Sequence, residues 1–267
     1  MLMLLLAPFF TQGQSLPTTQ KNSVHAPLNI KIDGNSDEWN NKFEAYNKST
    51  QIYYTISNDL TNLYLTVQAN DINTIKKIVS SGLTLTINKL NKKKDSTAIA
   101  FTFPVYDQGL KSITVTKRLI SGNKAEDKLR IDSLIKVYNR QIPITMKVIS
   151  VRGLKTINNE SISVYNEEKI KAAALFDKNM YYNYELAIPL KLIEFTPDGI
   201  SKFYYNVQIN GLTSFNGMTI QAIGGREDKL GVVDKNGTTF ILNDNSSIQD
   251  KDLYYPTNFW AEYTLSK

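Results

Sequence analysis

Cysteine is absent from this 267-residue chain, and histidine occurs once, at His25. The first absence excludes disulfides, thiolate metal sites and cysteine nucleophiles. The second argues against a Ser-His-Asp triad, a histidine-based metal centre and a haem held by axial histidines. Long apolar runs are missing too. The run Met1–Phe10 falls well short of the roughly twenty residues that cross a bilayer. Followed by Thr11-Gln-Gly-Gln-Ser15, it reads as the apolar core and cleavage zone of a signal peptide over residues 1–15, although the usual basic start is lacking. The expectation is therefore a secreted, periplasmic or cell-surface protein with no transmembrane span in the mature chain. Nucleic-acid-binding motifs are also missing. The net charge of +6 is spread along the chain, and its densest run, Lys89-Leu-Asn-Lys-Lys-Lys94, reads as a solvated hairpin tip, so no nucleic-acid partner is expected.

What is present is strand alternation. A hydrophobic fraction of 42% and a charged fraction of 21% are ordinary for a folded domain, and the length is enough for one large all-β core. Residues 16–28 carry two prolines and little periodicity, and read as a lead-in or linker. Ile30 and Ile32 alternate with Lys31 as a short strand, stopped by Asp33-Gly34. Strands follow at residues 51–57 and 63–69, joined as a hairpin across Asn58–Asn62, then at 83–88 and 98–103. Asp71 is placed to cap a helix over 71–78, where Ile72, Ile75 and Ile78 share a face. A second helix is expected over 124–138. The β pattern resumes at 144–151, 155–157 and 162–164, and is strong at 169–177, 181–190, 202–210 and 259–265. The stretch 211–258 reads as a long polar loop in which 218–223 and 238–242 form a hairpin. The fold class is all-β: one antiparallel β-sandwich over residues 29–267 with a few short helical excursions.

Four landmarks carry a family resemblance. They are Ile30-Lys-Ile-Asp-Gly-Asn-Ser-Asp-Glu-Trp39, Ile56-Ser-Asn-Asp59 with Asn62-Leu-Tyr-Leu65, Tyr184-Glu-Leu-Ala-Ile-Pro-Leu190, and the Phe259-Trp260 of the last strand. Together they resemble the family 9 carbohydrate-binding-module-like domains, relatives of the DOMON sandwich. The resemblance implies jelly-roll or DOMON-like connections and a secreted, non-catalytic glycan-binding role. An envelope or surface protein that binds a protein partner through the same sandwich is the alternative, and a glycoside hydrolase ranks last.

Sugar binding calls for exposed rings beside polar groups. Tyr254, Tyr255, Tyr181 and Phe215 sit among polar or glycine-rich neighbours and are the candidate platforms, with Asn216 and Arg226 as polar partners. Trp39 and Trp260 are expected in the core. Glu185 interrupts an apolar strand. Simple alternation points it to solvent beside Asn183 and Ala187, whereas an inward carboxylate would need Arg226, a lysine or a cation. The metal question stays open: Asp228, Asp234, Asp244, Asp250 and Asp252 offer oxygen ligands for calcium, but the EF-hand pattern is absent.

Overall fold

A computed structural model of the chain describes residues 15–40, 42–106, 112–116, 122–157, 159–199, 201–215, 218–223, 226–242 and 251–267. The expected signal peptide, apart from Ser15, lies outside them, as do Asn216, Asp244 and Asp250.

Alternation along the strands produces two facing antiparallel sheets. β1 (Ala45–Asn47), β2 (Ile52–Asn58) and β3 (Asn62–Ala69) pair in sequence, and α1 (Ile72–Ser81) then crosses to β4 (Leu83–Asn88) and β5 (Ile99–Val105) of the second sheet. α2 (Lys124–Thr145) leads into β6 (Val148–Arg152) and β7 (Ser161–Ser163). β8 (Lys171–Phe176) and β9 (Tyr182–Pro189) return to the first sheet, and β10 (Lys202–Ile209) to the second. An insertion holds β11 (Ser214–Phe215), β12 (Met218–Ile223), β13 (Arg226–Val233) and β14 (Thr239–Leu242), after which β15 (Thr257–Thr264) pairs with β10. The strand orders are β1-β2-β3-β9-β8 and β15-β10-β4-β5-β6-β7, with a separate four-stranded sheet β11-β12-β13-β14.

The inner faces meet in one core. Tyr54, Ile56, Leu65, Tyr184 and Leu186 of the first sheet bury against Leu85, Phe101, Phe103, Tyr205 and Val207 of the second. Aromatic pairs span the gap, Phe103 to Tyr184 at 5.8 Å and Tyr54 to Phe259 at 5.0 Å between ring centroids. The Tyr54 and Tyr205 hydroxyls lie 3.2 Å apart inside this core, and burial raises the pKa of both, so they stay protonated.

Locally encoded elements form where the pattern places them. Asp71 accepts the Thr74 N–H at 2.8 Å and caps α1. β9 ends at Pro189, as a residue without an N–H requires. α2 is longer than expected, extending from its Asn123 cap past Pro143 to Thr145. Pro143 lacks the N–H that would reach the Asn139 carbonyl, and the helix stops two residues later. Within the insertion, residues 218–223 and 239–242 do not pair directly, because β13 lies between them. Its charged opening, Arg226-Glu-Asp-Lys229, masks a strand whose Leu230 and Val232 are buried on one face. The expected strand at Ile30–Ile32 does not form. These residues pack onto the Ala26, Trp39, Tyr64 and Ala187 cluster on the outside of the first sheet.

Two side-chain amides complete strand edges. Asn139 on α2 accepts the Phe176 N–H and donates to the Phe176 carbonyl, both at 2.8 Å, and so covers the outer edge of β8. Gln20 does the same for Ile56 on β2, at 2.7 Å in each direction. Asn139→Ala removes both bonds from the β8 edge, and we expect it to cost about 1–2 kcal/mol, measured as a shift in the urea midpoint without a change in slope.

Candidate functional site

The two sandwich sheets differ in what covers their outer faces. Residues 26–39 lie over the first sheet, where Ala26 and Trp39 pack on Tyr64 and Ala187, flanked by Ile30 and Ile32. Beneath this cover Thr66, Asn183 and Glu185 are buried. Alternation does point Glu185 away from the core, but not to solvent, because the Asp33–Gly34 turn sits on it. Glu185 Oε2 accepts the N–H groups of Gly34 at 2.9 Å and Asp33 at 3.1 Å. Its Oε1 has no hydrogen-bond partner among the described residues. Burial, opposed by these two bonds and aided by the charges of Asp33 and Glu38, pushes its pKa up to about 7. Gly34 is required here, since its φ is +83° and a Cβ would meet the Ala174 carbonyl carbon at 2.4 Å.

The outer face of the six-stranded sheet carries a different set. Strand register sets Gln208 opposite Thr84, Thr84 opposite Thr102 and Thr102 opposite Ser150, with Thr86, Ala100 and Arg152 in the neighbouring row. These residues line a cleft of about 750 Å³ on this face, with Lys94, Asp95, Tyr106 and Asn210 around it. This volume is in the range of small-ligand sites. The floor is already hydrogen-bonded. Lys94 Nζ donates to Gln208 Oε1, and Gln208 Nε2 donates to Asn210 Oδ1 at 2.8 Å. Asn210 Nδ2 donates to Thr84 Oγ1 at 3.1 Å and to the Ser81 carbonyl at 2.9 Å, and the Thr84 and Thr102 hydroxyls are 2.8 Å apart. Ser150, half-buried in the lining, has a hydroxyl with no protein partner among the described residues, while Thr86 is itself buried.

At the β10–β15 end of the same face, Tyr204 and Trp260 are half-buried. They are diagonal neighbours in register, because Tyr204 pairs with Glu262 and Asn206 with Trp260. Trp260 thus lies on the outer face and not in the core, whereas Trp39 is buried as expected. Asp95 is the one carboxylate among the described lining residues. Hydrogen bonds from the Thr97 hydroxyl and N–H hold its pKa below the usual value.

The candidate platforms are distributed elsewhere. Tyr254 is buried in the insertion's own cluster with Ile220, Leu230, Val232 and Leu253, so its ring is no exposed platform. Tyr255 is half-buried against that cluster, and its carbonyl accepts the Lys77 Nζ at 2.6 Å. Lys77 is itself buried on α1, and burial pushes its pKa down to about 8. Tyr181 lines a separate cleft with Asp71, Ile72, Ile75 and Val115. Phe215 and Arg226 lie at the start of the third sheet, in β11 and β13. Among the described residues, Tyr254 and Tyr255 thus belong to one cluster and Tyr181 to a different cleft.

Of the aspartates considered for calcium, Asp234 accepts the N–H groups of Asn236 and Thr238 within its own turn, and Asp252 is exposed near Lys77. No cluster of three or more metal-ligating side chains occurs among the described residues. No helix among them is long and apolar enough to cross a membrane.

The cleft residues had a sequence signal. Leu83-Thr-Leu-Thr-Ile-Asn88 and Asn206-Val-Gln-Ile-Asn210 alternate apolar residues with short hydroxyl and amide side chains, not with the lysines and glutamates that usually face solvent.

Fold and cleft together define an antiparallel β-sandwich protein with one polar, pre-bonded sheet face that the described residues leave open. No family model, no curated protein and no solved structure matches the chain.

Proposed function

We propose that this is a secreted or surface-attached, non-catalytic glycan-binding protein whose ligand lies on the outer face of the six-stranded sheet. The observation that carries this reading is the cleft floor. Hydroxyl and amide groups held in fixed orientation match the alternating donors and acceptors of a polyhydroxylated chain, and Tyr204 and Trp260 supply half-exposed rings beside them. Four strand spacings from β15 to β6 span about 19 Å, room for an oligosaccharide rather than one sugar. The resemblance to the family 9 carbohydrate-binding-module-like domains supports the same role.

Ala100, on β5, lines the cleft. Ala100→Trp fills it, and we expect glycan affinity to fall at least about tenfold, equivalent to about 1.4 kcal/mol, with the unfolding midpoint unchanged. The measurement is a glycan-array screen of the full chain with and without calcium, followed by titration of the best ligand against this variant. Tyr255→Ala should leave binding unaltered. Saturable binding lost in Tyr255→Ala but kept in Ala100→Trp would place the site elsewhere and sink the cleft assignment.

One observation favours protein-partner binding as a second reading. Leu129, Val137 and Ile144 are exposed on α2, and their spacings of eight and seven residues keep them within about 80° of one another around the helix.

A further inference from the structure

Among the described residues, basic side chains outnumber acidic ones in the lining of the cleft. Lys92, Lys93 and Lys94 are exposed on the loop between β4 and β5, and Arg152 is exposed at the end of β6. Lys94 and Arg152 line the cleft itself. Neighbouring charges are compensated differently. Lys89 pairs with Glu194 at 2.6 Å and Lys202 with Glu262 at 3.3 Å, whereas Lys92, Lys93 and Arg152 make no ion pair among the described residues. The lone carboxylate of the lining is already engaged. Asp95 Oδ1 accepts from the Thr97 hydroxyl at 2.6 Å, the Thr97 N–H at 2.9 Å and Asn88 Nδ2 at 3.2 Å, and Oδ2 accepts from Asn91 Nδ2 at 3.4 Å. That carboxylate shapes the loop that presents the lysines.

We propose that the glycan held by this face is an anionic polysaccharide, with Lys94 and Arg152 receiving its carboxylate or sulfate groups across the hydroxyl-and-amide floor. This inference rests on the glycan reading of the same cleft and adds the ligand's charge. A neutral glycan would leave the Arg152 guanidinium, and Lys92 and Lys93 of the adjoining loop, with no ion pair among the described residues beside the bound chain. Arginine in particular meets a carboxylate or sulfate with paired N–H donors. Nucleic acid fits the floor less well, because the two rings stand at one end of the face and not along it as successive stacking platforms.

The experiment titrates the full chain with polygalacturonate, with its fully methyl-esterified form, with chondroitin sulfate, with a neutral β-glucan and with single-stranded DNA, at about 0.05 and 0.5 M salt, where screening differs strongly. The comparison variants are Arg152→Gln and Lys94→Gln/Arg152→Gln, exposed changes checked for an unaltered melting midpoint. The expected result is saturable binding of polygalacturonate or chondroitin sulfate. It should weaken at least about tenfold on esterification or in the double variant and several-fold in Arg152→Gln. The two acidic polymers separate a carboxylate from a sulfate preference. Binding of the neutral or esterified polymer that the double variant retains would overturn the anionic inference while leaving the glycan reading intact. Binding of DNA as tight as that of either acidic glycan would overturn it as unspecific charge attraction. Failure of every glycan to bind would remove the glycan reading itself.

Discussion

Glu185→Gln is expected to stabilise the protein above pH 7 and to change little at pH 5. Its carboxyl ionises near 4.5 in the unfolded chain and is pushed up to about 7 in the folded one by burial under the Asp33–Gly34 turn. Between these values the folded state holds the extra proton. The group's contribution is therefore complete below pH 4.5 and is lost as pH rises through 7. A difference of about 2.5 units corresponds to on the order of 3 kcal/mol. Glutamine keeps an acceptor for the Asp33 and Gly34 N–H groups and carries no charge, so it avoids that loss. Glu185→Ala removes the acceptor at every pH and should cost about 2–4 kcal/mol through two unpaired N–H groups and a cavity. Urea titrations of the three proteins at pH 5 and pH 8 measure this directly. If Glu185→Gln were less stable than the parent at pH 8, the buried charge would be neutralised by a bound cation at the unpartnered Oε1, and the account of an uncompensated carboxylate would fail.

The second large effect is expected at Asn58, which joins both ends of the sandwich to the β2–β3 hairpin. Its Nδ2 donates to the carbonyls of Asp59 and Ser266, each at 3.0 Å. Its Oδ1 accepts the Tyr263 hydroxyl at 3.0 Å and the Ser266 N–H at 2.8 Å. The backbone takes part as well, since the Asn58 N–H reaches the Val24 carbonyl at 3.1 Å and its own carbonyl accepts the Ala26 N–H at 2.8 Å. The Tyr263 hydroxyl also lies 3.0 Å from the Val24 carbonyl, so its one proton is shared between this oxygen and Asn58 Oδ1. Asn58→Ala leaves buried groups on β15 and the hairpin unpaired and should cost about 3–5 kcal/mol, a large share of the 5–15 kcal/mol typical of a domain. Hydrogen exchange is the more specific readout. Protection should fall first at Val24, Ala26 and Ser266, and a loss spread evenly over the core instead would show that Asn58 is no local fastener.

These two residues show what two of the sequence landmarks do in the fold. In Ile56-Ser-Asn-Asp59, Asn58 fastens the lead-in and the last strand. Asp59 builds the turn by accepting from Thr61 and Asn62 at 2.6 and 2.7 Å and holds the Tyr64 hydroxyl at 2.6 Å. In the Tyr184–Leu190 stretch, Glu185 receives the Asp-Gly turn of the opening landmark. Two stretches some 150 positions apart in sequence are thereby joined through one carboxylate.

What the sequence by itself determined were the elements whose cause is local. The β2–β3 hairpin follows from alternation around Asn58–Asn62, α1 from the Asp71 cap and an isoleucine every third residue, and the end of β9 from Pro189. The two-faced chemistry of β4 and β10 is also written locally, since their apolar residues enter the core and their threonine, asparagine and glutamine residues face outward. The tertiary structure alone decided which of those polar faces remains open. Residues 26–39 cover the outer face of the first sheet and bury Glu185, which alternation sends to solvent. The late tyrosines follow the same rule: Tyr254 reads as a loop ring among polar neighbours, but Leu230 and Val232 of a strand hidden by its charged start enclose it. Alternation states which side of a strand a residue takes. Only the packing of distant segments states what lies on that side, and on the six-stranded sheet the described residues leave Thr84, Thr86, Ser150 and Arg152 lining a cleft.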